Sequence, residues 1–442
     1  MKKLIITIVL IPMLFLFGQD AGNTKSLIPP TPPKPATGLN SGVTKPVKAP
    51  KAPARPAKID ADDADDFDSE FDSEFDSKEG TLSKTFTVGR GGKLTVNVSP
   101  GELTIKTWDQ NSVEIKADGF DKRDIDNIEI IQTGNDIKIK YESEFGWGGD
   151  GDFVITVPDQ YNLDLRSTSG DLQLKGNLNG FVKASTMGGD ISVKDIKGNT
   201  DLSTQGGDIR TGDLDGVIML NTMGGDIQTG KLNGKDAQIY TMGGEINIKS
   251  SSSDIKTKTY GGDIQIGDVG GRVDLVTYGG NIKVNTVGGS AKLETYGGNL
   301  FLNGAKGEVL AKTNGGNINL KNIVGSVEAR TMAGDVSVQL NPTGNKSSIS
   351  TNTGEIELIL TADTKATVEA TIKVNGWWKN MKDDYKIHSD FDVTTVLKVG
   401  GNEEDENEDN NEIRSVFQIN GGGTKIFLKS INSDISIRKS NK

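Results

Sequence analysis

The chain has 442 residues, a formal net charge of -11, one histidine and no cysteine. The absence of cysteine excludes disulfides, thiol catalysis and a lipoprotein anchor on an acylated cysteine, and a single histidine, His388, excludes a histidine-rich metal site. The acidity is local. Asp60 to Glu79 carries eleven acids against one lysine, and Glu403 to Glu412 carries seven more, so the rest of the chain is mildly basic at +6.

At the start, Lys2 and Lys3 precede an apolar run from Leu4 to Phe17, shorter than the ~20 residues a membrane-spanning helix needs. Residues 1–21 read as a secretory signal cut between Gly18 and Gly22, which predicts export to the periplasm or cell surface. An uncleaved membrane anchor is the alternative, and membrane contact is expected only through this segment if it is uncleaved. Residues 22–59 hold most of the prolines together with Lys, Ala and Thr, the composition of a disordered, extended polyproline linker. The acidic segment 60–80 repeats Phe-Asp-Ser-Glu from Phe67 to Ser77. A docking motif for a basic partner or a calcium-responsive tail is one reading, and a solvated, self-repelling disordered segment is favoured over it.

From residue 81 to 160 alternation takes over, in Leu94 to Val98, Leu103 to Ile105, Val113 to Ile115, Ile137 to Ile139 and Phe153 to Val157. Ser99-Pro100-Gly101-Glu102 and Thr133-Gly134-Asn135-Asp136 look like loose versions of a phrase that becomes regular later. Their wide spacing predicts broad, irregular coils closing the N-terminal end.

Residues 161–360 are organised by that phrase, T-x-G-G-[D/E/N]-[I/L/V]. It begins at Thr186 and returns at Thr204, Thr222, Thr241, Thr259, Thr277, Thr295, Thr313 and Thr331, every 18 residues with one step of 19. Imperfect copies at Thr168-Ser169-Gly170 and Thr351-Asn352-Thr353-Gly354 flank the run. A fixed period means stacked copies of one supersecondary unit. Within each copy every second residue is apolar (Ile191 and Val193, Ile246 and Ile248, Leu300 and Leu302), and a third apolar point such as Ile196 or Leu214 follows. The chain is therefore expected to be all-β, a parallel β-solenoid or β-helix of ~18-residue coils about 4.8 Å apart, with irregular β caps at both ends. Residues 361–442 are read as the C-terminal cap, with the acidic loop 402–412 projecting from it.

Four patterns could carry function. Asp190, Asp208, Asp226, Glu245 and Asp263 fall at one corner, but the column continues as Asn281, Asn299 and Asn317. One carboxylate per coil falls short of the six to eight oxygens calcium takes, so these residues are expected to cap turns by accepting glycine-turn amides. The threonines share parity with Leu220 and Leu275 and are expected to form a buried hydroxyl ladder. Met187, Met223, Met242, Tyr260, Tyr278, Tyr296 and Met332 occupy the next corner position. Tyr260, Tyr278 and Tyr296 would form a ladder that could serve as a ligand platform, with Trp377 and Trp378 as a further contact patch. In-register stacking of like residues and burial of the tryptophans are the structural alternatives. Nothing near His388 resembles a nucleophile elbow, and no catalytic residue, cofactor or metal is predicted.

The order G-x-L-x-V around Gly92, P-G-E-L-x-I-x-x-W-D from Pro100 to Asp109, Val154 to Pro158, and then the reiterated glycine phrase resembles the bacterial putative-adhesin β-strand-repeat family. The resemblance covers about residues 85 to 360, with a returning piece from Gly421 to Ile437. It implies a β-helical fold, an exported cell-envelope location and no catalytic residues, and some members are associated with envelope-stress responses. The expected function is a non-enzymatic, adhesin-like binding or scaffold solenoid. Its expected partner is a cell-surface glycan or an envelope protein, not nucleic acid. The alternatives are a carbohydrate-active β-helix enzyme and an envelope-stress regulatory protein.

Overall fold

The structure is a computed structural model that describes residues 79–99, 101–142, 151–375, 385–392 and 412–440. The signal segment, the linker, the acidic segment up to Lys78, the Trp377–Trp378 pair and the acidic loop up to Asn411 lie outside the described residues.

Alternation decides the architecture. In Ile218–Asn221, Val273–Val276 and Val309–Lys312, the first and third residues are buried and the second and fourth reach solvent. Each strand pairs in parallel with its counterpart one coil away: Leu202 stands over Leu220, Leu220 over Ile239, and Leu275 over Leu293. The second strand of each coil does the same, placing Ile246 over Ile264 and Ile264 over Ile282. Two long parallel sheets result, and one continuous apolar column fills the space between them. We call the sheet containing Ile246–Ser251 and Ile264–Val269 the first sheet, and the one containing Ile218–Asn221 and Val273–Val276 the second. The third apolar point is also buried, and Ile196 pairs with Leu214 as a short extra strand. Among the described residues the one α-helix is Lys122–Asp126, which buries no side chain.

The coils at both ends are ordinary in cross-section but out of sequence order. Lys93–Ser99 pairs on one side with Asp136–Glu142 and on the other with Asn162–Ser167. Leu103–Trp108 likewise lies between Asp152–Pro158 and Leu172–Leu174. The chain thus enters one coil in, loops out to make the terminal coil, and returns. This corrects the expectation of broad coils: the doubled spacing records the detour. Thr133–Asp136 is accordingly the turn of an antiparallel hairpin and not a solenoid corner.

The terminal coil is covered by Ser112–Asp121, antiparallel to Asp152–Pro158, and by Glu79–Thr87 outside it. Phe120 packs at 5.1 Å from both Tyr141 and Phe153, so buried aromatic rings plug this end. The other end repeats the device. Thr424–Ile431 is inserted between Ser347–Thr353 and Ala366–Lys373, and Ile435–Lys439 between Ile356–Leu360 and Ile387–Ser389. Glu412–Ile419 then closes the second sheet antiparallel to Ala366–Lys373.

Candidate functional site

The glycine corner is built from backbone approach. A Cβ on the second glycine of each phrase would lie 2.1 Å from the carbonyl oxygen of the glycine one coil below at Gly189, Gly207, Gly225 and Gly280, and 2.0 Å away at Gly298 and Gly316. No side chain fits there. The first glycine is freer: at Gly279 the nearest atom is at 3.0 Å, and in one copy Ala333 takes this place.

The threonines beside these glycines are buried, and their hydroxyls bond to glycine backbone rather than to one another. Thr204 Oγ1 donates to the Gly189 carbonyl at 2.8 Å and accepts from the Gly207 N–H at 3.3 Å. Thr222, Thr241, Thr259, Thr277, Thr295 and Thr313 repeat the pair of bonds. At the N-terminal end the equivalent residue is buried Ser167, not Thr168, because Ser185 pairs with Arg166 and Gly170 stacks under Gly189. The missing glycine shifts the phrase by one residue.

The acidic column caps turns, but through different amides from those expected. Asp190 Oδ1 accepts from the backbone N–H of Asp208 at 2.8 Å, and Asp208 from that of Asp226 at 2.7 Å. Each acid therefore receives the amide of its own counterpart one coil on, and not a glycine amide. A side-chain amide oxygen serves equally, as Asn281 and Asn299 show at 2.8 Å, which explains why Asp and Asn interchange. Among the described residues no three metal-ligating side chains cluster. His388 is exposed in Ile387–Ser389, opposite Ser436.

Outside the glycines runs the Met and Tyr column, and every member predicted for it is solvent-exposed. Tyr260 and Tyr278 stack with centroids 4.8 Å apart and planes 7° apart; Tyr278 and Tyr296 stack at 4.9 Å and 2°. The coil repeat sets that distance. At the lower end, Tyr240 meets Tyr260 edge-on at 6.3 Å, and Lys258 Nζ lies 4.6 Å from the Tyr260 centroid and 3.2 Å from its hydroxyl. Burial, the largest influence, pushes the Tyr240 hydroxyl above its usual pKa.

Stacking uses up the ring faces. A platform needs an open face, and within the ladder the faces cover one another, leaving edges and hydroxyls outward. The exception is the upper face of Tyr296, the most exposed of the three residues at 54%, because the next coil carries the small, exposed Asn314 in this column. The candidate site is therefore the end of the stack, a refinement of the three-ring platform the sequence suggested.

A family profile, Toastrack DUF4097, matches residues 92–309 and 285–375, most of the described solenoid. The chain belongs to the Toastrack DUF4097 family. Solved structures similar to this Toastrack chain include a putative adhesin from Parabacteroides merdae, 11% identical over 63% of this chain and 95% of that one, with a TM-score of 0.27. A putative adhesin from Parabacteroides distasonis is 14% identical over 64% and 98%, with a TM-score of 0.24. A putative cell adhesion protein from Clostridium sporogenes is 10% identical over 82% and 100%, with a TM-score of 0.16. Similarity at this level transfers no ligand to the Toastrack chain. Comparison with curated proteins finds no match.

Proposed function

We propose that this Toastrack chain is a non-enzymatic, exported cell-envelope protein that acts as an adhesin-like binding rod. Its lateral tyrosine corner contacts a cell-surface glycan or an envelope protein, and any membrane contact runs through the N-terminal segment. The exposed stack of Tyr260, Tyr278 and Tyr296, open at Tyr296, carries this reading. A ring placed on Tyr296 would continue the stack at the level of Asn314, whose amide is there to hydrogen-bond. The rings are held in register by the solenoid backbone and by one another, so a ligand pays little ordering entropy on binding. The non-enzymatic reading is supported by the acidic column, in which Asp190, Asp208, Asp226 and Asp263 each accept an amide of the neighbouring coil.

The test is retention of the full-length chain on cell-wall preparations and glycan arrays. Tyr296→Ala is expected to weaken retention about two- to tenfold, the range of one aromatic contact, with the β signal in circular dichroism unchanged. Equal retention of this variant and the parent, both folded, removes the tyrosine corner as the binding surface.

A further inference from the structure

We propose that the outer face of the first sheet carries a second, independent site: a notch that binds a carboxylate-bearing oligosaccharide. Its origin is legible in one outward column. Successive coils place Lys194, Gly212, Gly230 and Lys249 at the same position, so two coils lack a side chain and a lysine stands on each rim. The rims are three coil steps apart, roughly 14 Å at about 4.8 Å per step. The resulting cleft encloses about 560 Å³, and its lining includes Lys194, Arg210 and Lys249 and no acid.

The same two coils depart from the pattern on the inside as well. Where neighbouring coils bury Val193, Ile248 and Ile266, these coils place Thr211 and Thr229. Thr211 Oγ1 donates to the Gly212 carbonyl at 3.0 Å and Thr229 Oγ1 to the Gly230 carbonyl at 3.3 Å, which fixes the tucked glycine backbone. Glycine is required: a Cβ on Gly212 would stand 2.3 Å from Asp195 Oδ1, and one on Gly230 2.5 Å from Asp213 Oδ1. Each of those carboxylates is engaged by a backbone N–H of the next coil, Asp195 Oδ1 by that of Asp213 at 2.9 Å and Asp213 Oδ1 by that of Lys231 at 2.7 Å.

The walls define the ligand. Arg210 is pinned between Asp190 at 3.1 Å and Asp208 at 2.6 Å, so its guanidinium is a fixed wall whose charge is already matched. The Lys194 and Lys249 side chains are exposed, and neither ammonium group has a hydrogen-bond or ion-pair partner among the described residues, which leaves both for a ligand. Between them, Ser192, Gln228 and Asn247 present a hydroxyl and two amides, donors and acceptors suited to sugar hydroxyls. An acidic peptide fits less well, because extended peptides bind by pairing with a free strand edge and every strand under this notch is paired on both sides. An acidic sugar chain laid along the solenoid axis meets an ammonium at each end and polar side chains between.

The experiment is titration of the full-length chain with hexagalacturonate, its fully methyl-esterified form and hexaglutamate, at low and at physiological salt. Hexagalacturonate is expected to bind, more weakly as salt screens the exposed lysines. The ester, equal in shape but uncharged, is expected to bind at least about tenfold more weakly. Lys194→Gln with Lys249→Gln is expected to cost about tenfold, the product of two exposed charge contacts. Lys321→Gln, in the same column with no notch beside it, is expected to change affinity by less than about twofold. Tyr296→Ala should leave this binding intact, which separates the notch from the tyrosine corner. No binding of hexagalacturonate, equal binding of the ester or of hexaglutamate, or a double variant no weaker than Lys321→Gln would each overturn the proposal.

Discussion

Gly279 and Gly280 are adjacent, both in the corner phrase, and the structure predicts opposite tolerance to alanine. A Cβ on Gly280 would lie 2.1 Å from the Gly262 oxygen, 2.4 Å from the Gly262 carbonyl carbon and 2.7 Å from the Asp263 nitrogen, all backbone of the coil below. Ordinary contact begins at 3.4 Å, so the corner must open by over about 1 Å. That opening breaks or stretches bonds spanning the same gap: Thr277 Oγ1 to the Gly262 carbonyl at 2.9 Å, the Asn281 N–H to Asp263 Oδ1 at 2.7 Å, and the Ile264 N–H to the Asn281 carbonyl at 2.9 Å. At about 0.5–1.5 kcal/mol each, Gly280→Ala should cost roughly 2–4 kcal/mol. A Cβ on Gly279 meets nothing nearer than 3.0 Å, and Ala333 already occupies the equivalent place, so Gly279→Ala should cost less than about 1 kcal/mol. Solenoids can unfold in stages, so amide exchange of the residues at this corner, read beside the urea midpoint, is the appropriate assay. Equal exchange and equal midpoints for the two variants would refute the close-approach argument.

Thr277→Val removes the donor to the Gly262 carbonyl and the acceptor of the Gly280 N–H, and should destabilise by about 1–3 kcal/mol; Thr277→Ser keeps both bonds and should lose about 1 kcal/mol for its methyl. If valine proves the milder change in urea unfolding, the hydroxyl is not the reason for threonine here. Tyr161 is buried and donates to the Asn135 carbonyl; burial first, and the charge of Asp136 second, push its hydroxyl from 10.0 up to about 12. Because the folded value is the higher one, its stabilising contribution is complete below pH 10 and is lost as pH rises through about 12. Unfolding midpoints measured from pH 9 to 12 should fall more steeply for the parent than for Tyr161→Phe, and parallel curves would contradict this assignment.

The stack itself was legible because three independent signals coincide: the 18-residue return of threonine and glycine, the parity of Leu220 and Leu275, and the third apolar point. Each follows from local geometry, so sequence spacing translates directly into position. The tyrosine column was legible for the same reason, since equal phase means equal corner. Orientation was not. Whether Tyr278 shows its face or its edge depends on its neighbours one coil up and one coil down, and Asn314 above Tyr296 decides which ring is open. The hydroxyl and carboxylate ladders were recognised as ladders, but the partners that join one coil to the next lie 15 to 19 residues away and follow from the vertical offset between coils, which spacing does not encode. The notch was missed because its signal is two adjacent glycines, Gly212 and Gly230, between lysines of one column, visible only when outward positions are aligned coil by coil.

The ends were least legible, and they bear on function. Wider spacing between corner phrases suggested wider coils, whereas the chain skips a level and returns, so that Lys93–Ser99 and Thr424–Ile431 each belong to the second coil from their end, under the antiparallel cover strands. A terminal coil in sequence order could fray one strand at a time. A coil inserted from a distant part of the chain is paired on both sides, and its release requires the outer coil to leave first. Phe120 against Tyr141 and Phe153, together with antiparallel cover strands, closes the core at the N-terminal end, and Glu412–Ile419 covers the second sheet at the other. Both ends are therefore spent on closure. The long lateral surfaces remain, and there the sequence varies a fixed frame one column at a time, with tyrosine at the corner and a glycine gap between two lysines on the first sheet. Those columns are where the solenoid varies its outer surface while the buried frame stays fixed.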